Sequence, residues 1–158
     1  TGARPDVFAH NVETVPRLQR AVRPSASYAR SLGVLARAAD AGLVTKSSLI
    51  VGLGETAAEV TATLADLAAV GVRIVTIGQY LRPTSHHVPV ATWWAPEAFE
   101  DWARQGRALG IAHVEAAPLN RSSHHARESL ERVRDAAPAD PAVMTSTVAG
   151  PATTPGGP

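Results

Sequence analysis

Cysteine is absent from all 158 residues, and that gap removes disulfides, thiolate metal sites and cysteine nucleophiles from consideration. Charge of one sign is equally scarce. Fifteen Lys and Arg face fourteen Asp and Glu, for a formal net charge of +1 without any basic stripe, so no nucleic-acid partner is expected. No uninterrupted apolar run approaches a membrane span, and the opening "TGARPDVFAH" lacks the charged-then-apolar layout of a signal peptide. The expectation is a cytoplasmic chain with no membrane partner. Length sets an upper bound: one ordinary core fits, but a closed eight-stranded α/β barrel does not.

What is present is a regular alternation of short apolar runs with amphipathic segments, the pattern of parallel strands joined by crossover helices. "DVFAH" is strand-sized, and a helical turn follows in "TVPRLQRAV", with Thr14 as its cap and Pro16 in its first turn. "SASYARSLGVLARAADAG" repeats Tyr28, Leu32, Leu35 and Ala39 at helical spacing and places Gly42 at a C-terminal cap. "SSLIVG" reads as a strand. The next helix, "ETAAEVTATLADLAAVG", carries Thr56 and Glu59 at capping-box spacing. "VRIVTIG" and "IAHVEA" read as further strands, separated by a polar loop and a helix opened by Pro96, with Phe99, Trp102 and Leu109 on one face. "RSSHHARESLERVRDAA" can start a last helix. The domain is expected over 1–137, and 138–158, rich in Pro, Thr and Gly, reads as a disordered tail.

Unusual polar residues gather just after the strands: His10, Asn11 and Glu13, then Glu55, then Gln79, Tyr80, Arg82, His86 and His87. In parallel α/β folds those strand ends share one face, where ligands bind. The "GLGE" turn is a poor phosphate loop, because it lacks the third glycine of a dinucleotide fingerprint and its carboxylate would repel phosphate. A carboxylate there suits ribose hydroxyls or an amino group, or it favours the positive end of the following helix. Adjacent His86 and His87 point to opposite sides of an extended chain and do not share a metal. No HExxH pattern or nucleophile elbow occurs.

Taken in order, "HNVETV", "SYARSL", "TKSSLIVGLGET", "TIGQYLRPTSHHVPV" and "PLNRSSHH" resemble the C-terminal half of lipoyl synthase, a radical S-adenosylmethionine family. The likeness runs from about Pro5 to about Ala126. "KSSLIVGLGE" resembles the family strand motif G-x-I-x-G-x-x-E, with Ser48 where glycine is usual, then Ile50, Gly52 and Glu55. The resemblance implies the C-terminal part of a partial (β/α)6 TIM-like barrel whose intact members insert two sulfur atoms into a protein-bound octanoyl chain. S-adenosyl-L-methionine and two 4Fe–4S clusters supply that chemistry, and the clusters take their cysteines from an N-terminal half that is not in this sequence. The implied partners are an octanoylated lipoyl-carrier protein and the missing half.

By the same resemblance, Asn11 and Glu13 hydrogen-bond the ribose, for which an amide and a carboxylate are suited. Arg30 pairs with the methionine carboxylate or is a solvated helix residue. Gly52 lets backbone approach the nucleoside, Glu55 orients that loop or contacts the ligand, and the loop from Gln79 to His87 lines the cavity. Ser122 or Ser123 ligates the auxiliary cluster or caps a helix, and His124 stands where the family has tyrosine. The alternatives are a non-catalytic S-adenosylmethionine-binding remnant, one half of a split enzyme, or an unrelated α/β enzyme using Glu55 and a histidine as acid and base.

Overall fold

The computed structural model describes residues 5–121 and 126–135. Four parallel strands, β1 (Val7–Ala9), β2 (Val44–Val51), β3 (Ile74–Gln79) and β4 (His113–Ala116), lie side by side in chain order. A parallel neighbour is reached by a right-handed crossover, so a strand order without reversal puts every intervening helix on one face. This singly wound order is compatible with a fragment of a TIM-like barrel. Over the described residues the sheet is open.

The helices are α1 (Gln19–Val22, after a 3-10 turn at Pro16–Leu18), α2 (Tyr28–Asp40), α3 (Ala57–Ala69), α4 (Pro96–Ala108) and α5 (Ala126–Asp135). Alternation along the strands sends Leu49, Val51, Val75, Ile77 and Val114 toward α2, α3 and α4, where they pack on Leu35, Val60, Leu64, Leu67, Phe99 and Trp102. Phe99 and Trp102 meet edge to face with centroids 5.5 Å apart. The α3 start is fixed by a capping box in which Thr56 and Glu59 each bond the other's backbone N–H. At the other end Gly71 takes φ +85°, as a left-handed helix stop requires.

Two local expectations are corrected. Thr14 does not cap the first turn: the N-cap is Val15, with no side-chain bond, and the Thr14 hydroxyl is buried without a partner among the described residues. Leu109 leaves the core face of α4, because the helix stops at Ala108 and Leu109 turns outward, 42% exposed. The tail expected over 138–158 and the serines Ser122 and Ser123 lie outside the described residues.

The opposite face of the sheet is polar. Register aligns Ser48 with Thr76 and Thr76 with Glu115, and Lys46 with Ile74 and Ile74 with His113. Near the β4 edge α5 packs on this face, Ser129 donating to Glu115 at 3.1 Å, and Arg134 reaches Asp6 ahead of β1. No helix among the described residues is long and apolar enough to cross a membrane.

Candidate functional site

The C-terminal strand ends enclose a cleft of about 440 Å³ lined by Glu13, Ser48, Ile50, Thr76, Gly78 and Gln79, with Tyr80, Leu81, Pro83 and residues 118–121 at its rim. This volume falls in the range of small-molecule pockets. Its floor is polar: Ser48 and Thr76 are 4% and 2% exposed, and the Thr76 hydroxyl has no partner among the described residues.

Glu13 enters the cleft wall through an irregular backbone. Between the pairs Ala9–Lys46 and Glu13–Leu49, three residues (10, 11, 12) oppose two (47, 48), one residue too many for a ladder, as in a bulge. Glu13 absorbs the surplus with φ +67°, the one positive φ at a non-glycine residue among those described. Thr14 N–H bonds the Val12 carbonyl at 2.9 Å, closing a γ-turn of the rare, strained hand. On either side of that turn Glu13 N–H donates to Ser48 and Ile50 N–H donates to Glu13. No hydrogen bond or ion pair is made by the Glu13 carboxylate among the described residues.

Glu55 stands at the end of the β2–α3 loop with its carboxylate turned back into the protein. It is 5% exposed, and its oxygens accept from Gly52 N–H at 2.6 Å, Leu53 N–H at 3.0 Å and the Trp94 indole at 2.8 Å. Of the two roles open to it in sequence, the loop-orienting one matches this geometry. An acid–base role would require it to give up three N–H donors.

Gly52 and Gln79 form the next layer. At φ +105° a Cβ on Gly52 would collide with Gln79 Nε2 and come within 2.6 Å of the Thr92 carbonyl. The close approach that demands glycine is therefore made by the chain itself. Gln79 donates to Thr92 O at 2.9 Å and accepts from Trp94 N–H at 3.0 Å, tying residues 92–94 to the end of β3. Gly78 is crowded likewise, by the Asn120 carbonyl.

The other expected site residues are more dispersed. Asn11 is half-buried beside Glu13, its carbonyl held by Arg23 at 2.9 Å. Arg30 is exposed in the first turn of α2, and it does not line the cleft. His10 bonds Ser31 at 3.0 Å, joining β1 to that turn. Tyr80, Leu81 and Pro83 line the cleft, whereas Arg82 folds back to cap the carbonyls of Ser85 and His87. No group of three or more potential metal ligands occurs among the described residues.

Sequence reasoning missed Trp94, Gln19 and Arg23 as parts of this site. Gln19, 5% exposed, donates to the carbonyls of Val12 at 2.8 Å and Thr14 at 2.7 Å. Arg17 was missed too: it bonds both Glu59 oxygens and the Gly54 carbonyl, linking the 3-10 turn to the β2–α3 loop. With Arg17 first and the Thr56 backbone second, these bonds lower the Glu59 pKa to about 2.

Beneath the cleft lies a titratable cluster. Lys46 is 3% exposed and its Nζ has no hydrogen-bond partner among the described residues; burial lowers its pKa, partly offset by Glu115. Burial works to raise the Glu115 pKa, but hydrogen bonds from His113 at 2.9 Å and Ser129 outweigh it and the net shift is downward.

A singly wound parallel sheet with a small-molecule cleft at its C-terminal strand ends defines the class. Comparison with known proteins then gives the family. The lipoyl synthase of Rubrobacter xylanophilus is 53% identical over 134 residues, covering 84% of this chain and 42% of that protein. That of Acidothermus cellulolyticus is 57% identical over 124 residues, 78% of this chain and 38% of its own length. The Mycobacterium bovis enzyme is 56% identical over 131 residues, 83% and 42% respectively. No family model matches the chain. The chain belongs with the lipoyl synthases and spans about two-fifths of the length of the relatives it matches, consistent with a C-terminal half.

Proposed function

We propose that this chain carries the nucleoside-binding face of a lipoyl synthase and works only when completed by the family's cysteine-bearing half. The observation that carries the reading is Glu13: a strained residue in the wall of the cleft whose carboxylate has no partner among the described residues. Such a carboxylate fits two vicinal ribose hydroxyls, with Asn11 beside it. Glu55, Gly52 and Gln79 then act one layer back, holding the loop that shapes the cleft. Arg30 stands at the N-terminus of α2 and would serve a ligand carboxylate extended over that edge.

S-adenosylmethionine, once bound, supplies the radical chemistry of the family. The chain's own residues orient it and exclude water from the cleft. For the 4Fe–4S clusters the residues do not fit, since the sequence contains no cysteine. By the family resemblance, either Ser122 or Ser123 would add a ligand to an auxiliary cluster whose cysteines the other half provides. The partner is an octanoylated lipoyl-carrier protein, and the apolar rim at Leu81, Pro83 and Leu119 suits an alkyl chain.

Anaerobic reconstitution with iron and sulfide tests the reading. With the N-terminal part of the Rubrobacter relative added, the chain is expected to convert an octanoylated carrier to its lipoylated form; alone, it should not cleave S-adenosylmethionine. Cluster assembly and S-adenosylmethionine cleavage by the lone chain would overturn it.

A further inference from the structure

We propose that Gln19 and Arg23 are positioning residues that hold the backbone of Glu13 in its left-handed turn and so set its carboxylate in the cleft wall. This deepens the function proposed above, and its consequence for ligand affinity rests on that reading.

A glutamate at φ +67° is disfavoured by contact between its Cβ and its own backbone. A γ-turn of this hand persists only where its surroundings over-determine it. The two strand bonds, from Glu13 N–H to Ser48 and from Ile50 N–H to Glu13, fix Glu13 to β2, but they do not hold the carbonyls of the 12–13 and 14–15 peptides. Those peptides are held by α1 and the residue after it. The single Gln19 amide nitrogen donates to Val12 O and Thr14 O, the carbonyls on either side of Glu13, at 2.8 and 2.7 Å. Arg23 donates to Asn11 O at 2.9 Å and more weakly to Val12 O at 3.4 Å.

From the other side, the Val12 N–H is bonded to the Ser47 hydroxyl at 3.2 Å. Three carbonyls around one strained residue, those of Asn11, Val12 and Thr14, are thus claimed by two side chains, one in α1 and one just after it. Gln19 keeps this arrangement although its own Oε1 is buried without a partner among the described residues, a cost a merely space-filling residue would not incur. Neither side chain lines the cleft, so neither touches a ligand there.

Amide hydrogen exchange on the full chain tests the proposal. In Gln19→Leu and Arg23→Met, the Glu13 and Ile50 amides should exchange at least about ten-fold faster, while β3–β4 amides such as Val114 stay as in the parent. Adding Glu13→Gly to Gln19→Leu should restore slow exchange at Ile50, because glycine holds a positive φ without strain. Unchanged exchange at Glu13 and Ile50 in both single variants, uniform acceleration across the sheet, or no rescue by glycine would overturn it. Arg23 lies just after α1 and is only half-buried, so its variant retains the fold should Gln19→Leu lose it. Calorimetric titration with S-adenosylmethionine separates the two layers. Binding that weakens about ten-fold in Gln19→Leu supports both, and absence of binding by the parent chain counts against the ligand reading while exchange still decides the positioning.

Discussion

The indole N–H of Trp94 donates to a carboxylate oxygen of Glu55 across 2.8 Å, joining residues 39 positions apart. The same carboxylate takes the amides of Gly52 and Leu53, and Trp94 packs edge to face on Trp102 at 5.1 Å. The β2–α3 loop is thereby tied to the hydrophobic core through one acidic residue. Replacing Glu55 by Gln puts an amide NH₂ among three N–H donors and leaves at least one unsatisfied. The expected loss is about 1–3 kcal/mol of unfolding free energy, read by urea titration, with a change in Trp fluorescence in the native baseline.

Crowding at Gly78 gives a second expectation. A Cβ there would collide with the Asn120 carbonyl, and the neighbouring Gln79 N–H is bonded to Pro118. Gly78→Ala should push residues 118–121 off the end of β3 at a cost of about 1–3 kcal/mol. Thermal unfolding of the two proteins checks it.

Acid should weaken the link between the 3-10 turn and α3. The Glu59 pKa falls from 4.5 to about 2 in the folded chain, chiefly through its hydrogen bond from Arg17. A depressed folded pKa means stability fully present above pH 4.5 and lost as pH drops toward 2. Both side chains are solvent-facing, so the effect is small and salt-sensitive. Between pH 4.5 and 2, Arg17→Met should flatten the fall in melting temperature, a comparison made by scanning calorimetry.

Lys46 runs the opposite way. Its ammonium is buried without a hydrogen-bond partner among the described residues, and burial lowers its pKa below 10.5. The folded state disfavours the charged form, so stability should rise as pH climbs toward 10.5. Lys46→Met should stabilise the chain by about 1 kcal/mol at neutral pH and remove that alkaline rise. Chemical denaturation at pH 7 and pH 10 reads both.

Much of the scaffold was legible because local physics dictates it. Thr56 and Glu59 at capping-box spacing, Gly42 and Gly71 after amphipathic runs, and the β-branched run at Ile74–Ile77 each specify their element over a few neighbouring residues. Placing Glu13, Gln79 and Glu55 at one end of a sheet also followed from the strand-helix alternation. Their roles within the site were less legible. Glu55 bonds its own loop and Trp94, and Gly52 is crowded by Gln79 and residue 92, contacts that no local spacing encodes. The Glu13 turn was hidden for a different reason: a positive φ is advertised in sequence by glycine or asparagine, and glutamate advertises nothing. Thr14 failed as a cap because the γ-turn carries its side chain into the interior.

The most direct measurement is a calorimetric titration of S-adenosylmethionine into this chain and into Glu13→Ala under identical conditions. The account predicts saturable binding by the parent and a loss of about ten-fold or more in the variant, the worth of a charge-assisted hydrogen bond to a hydroxyl, with the melting profile retained. No binding by the parent, or equal binding by both, would contradict it.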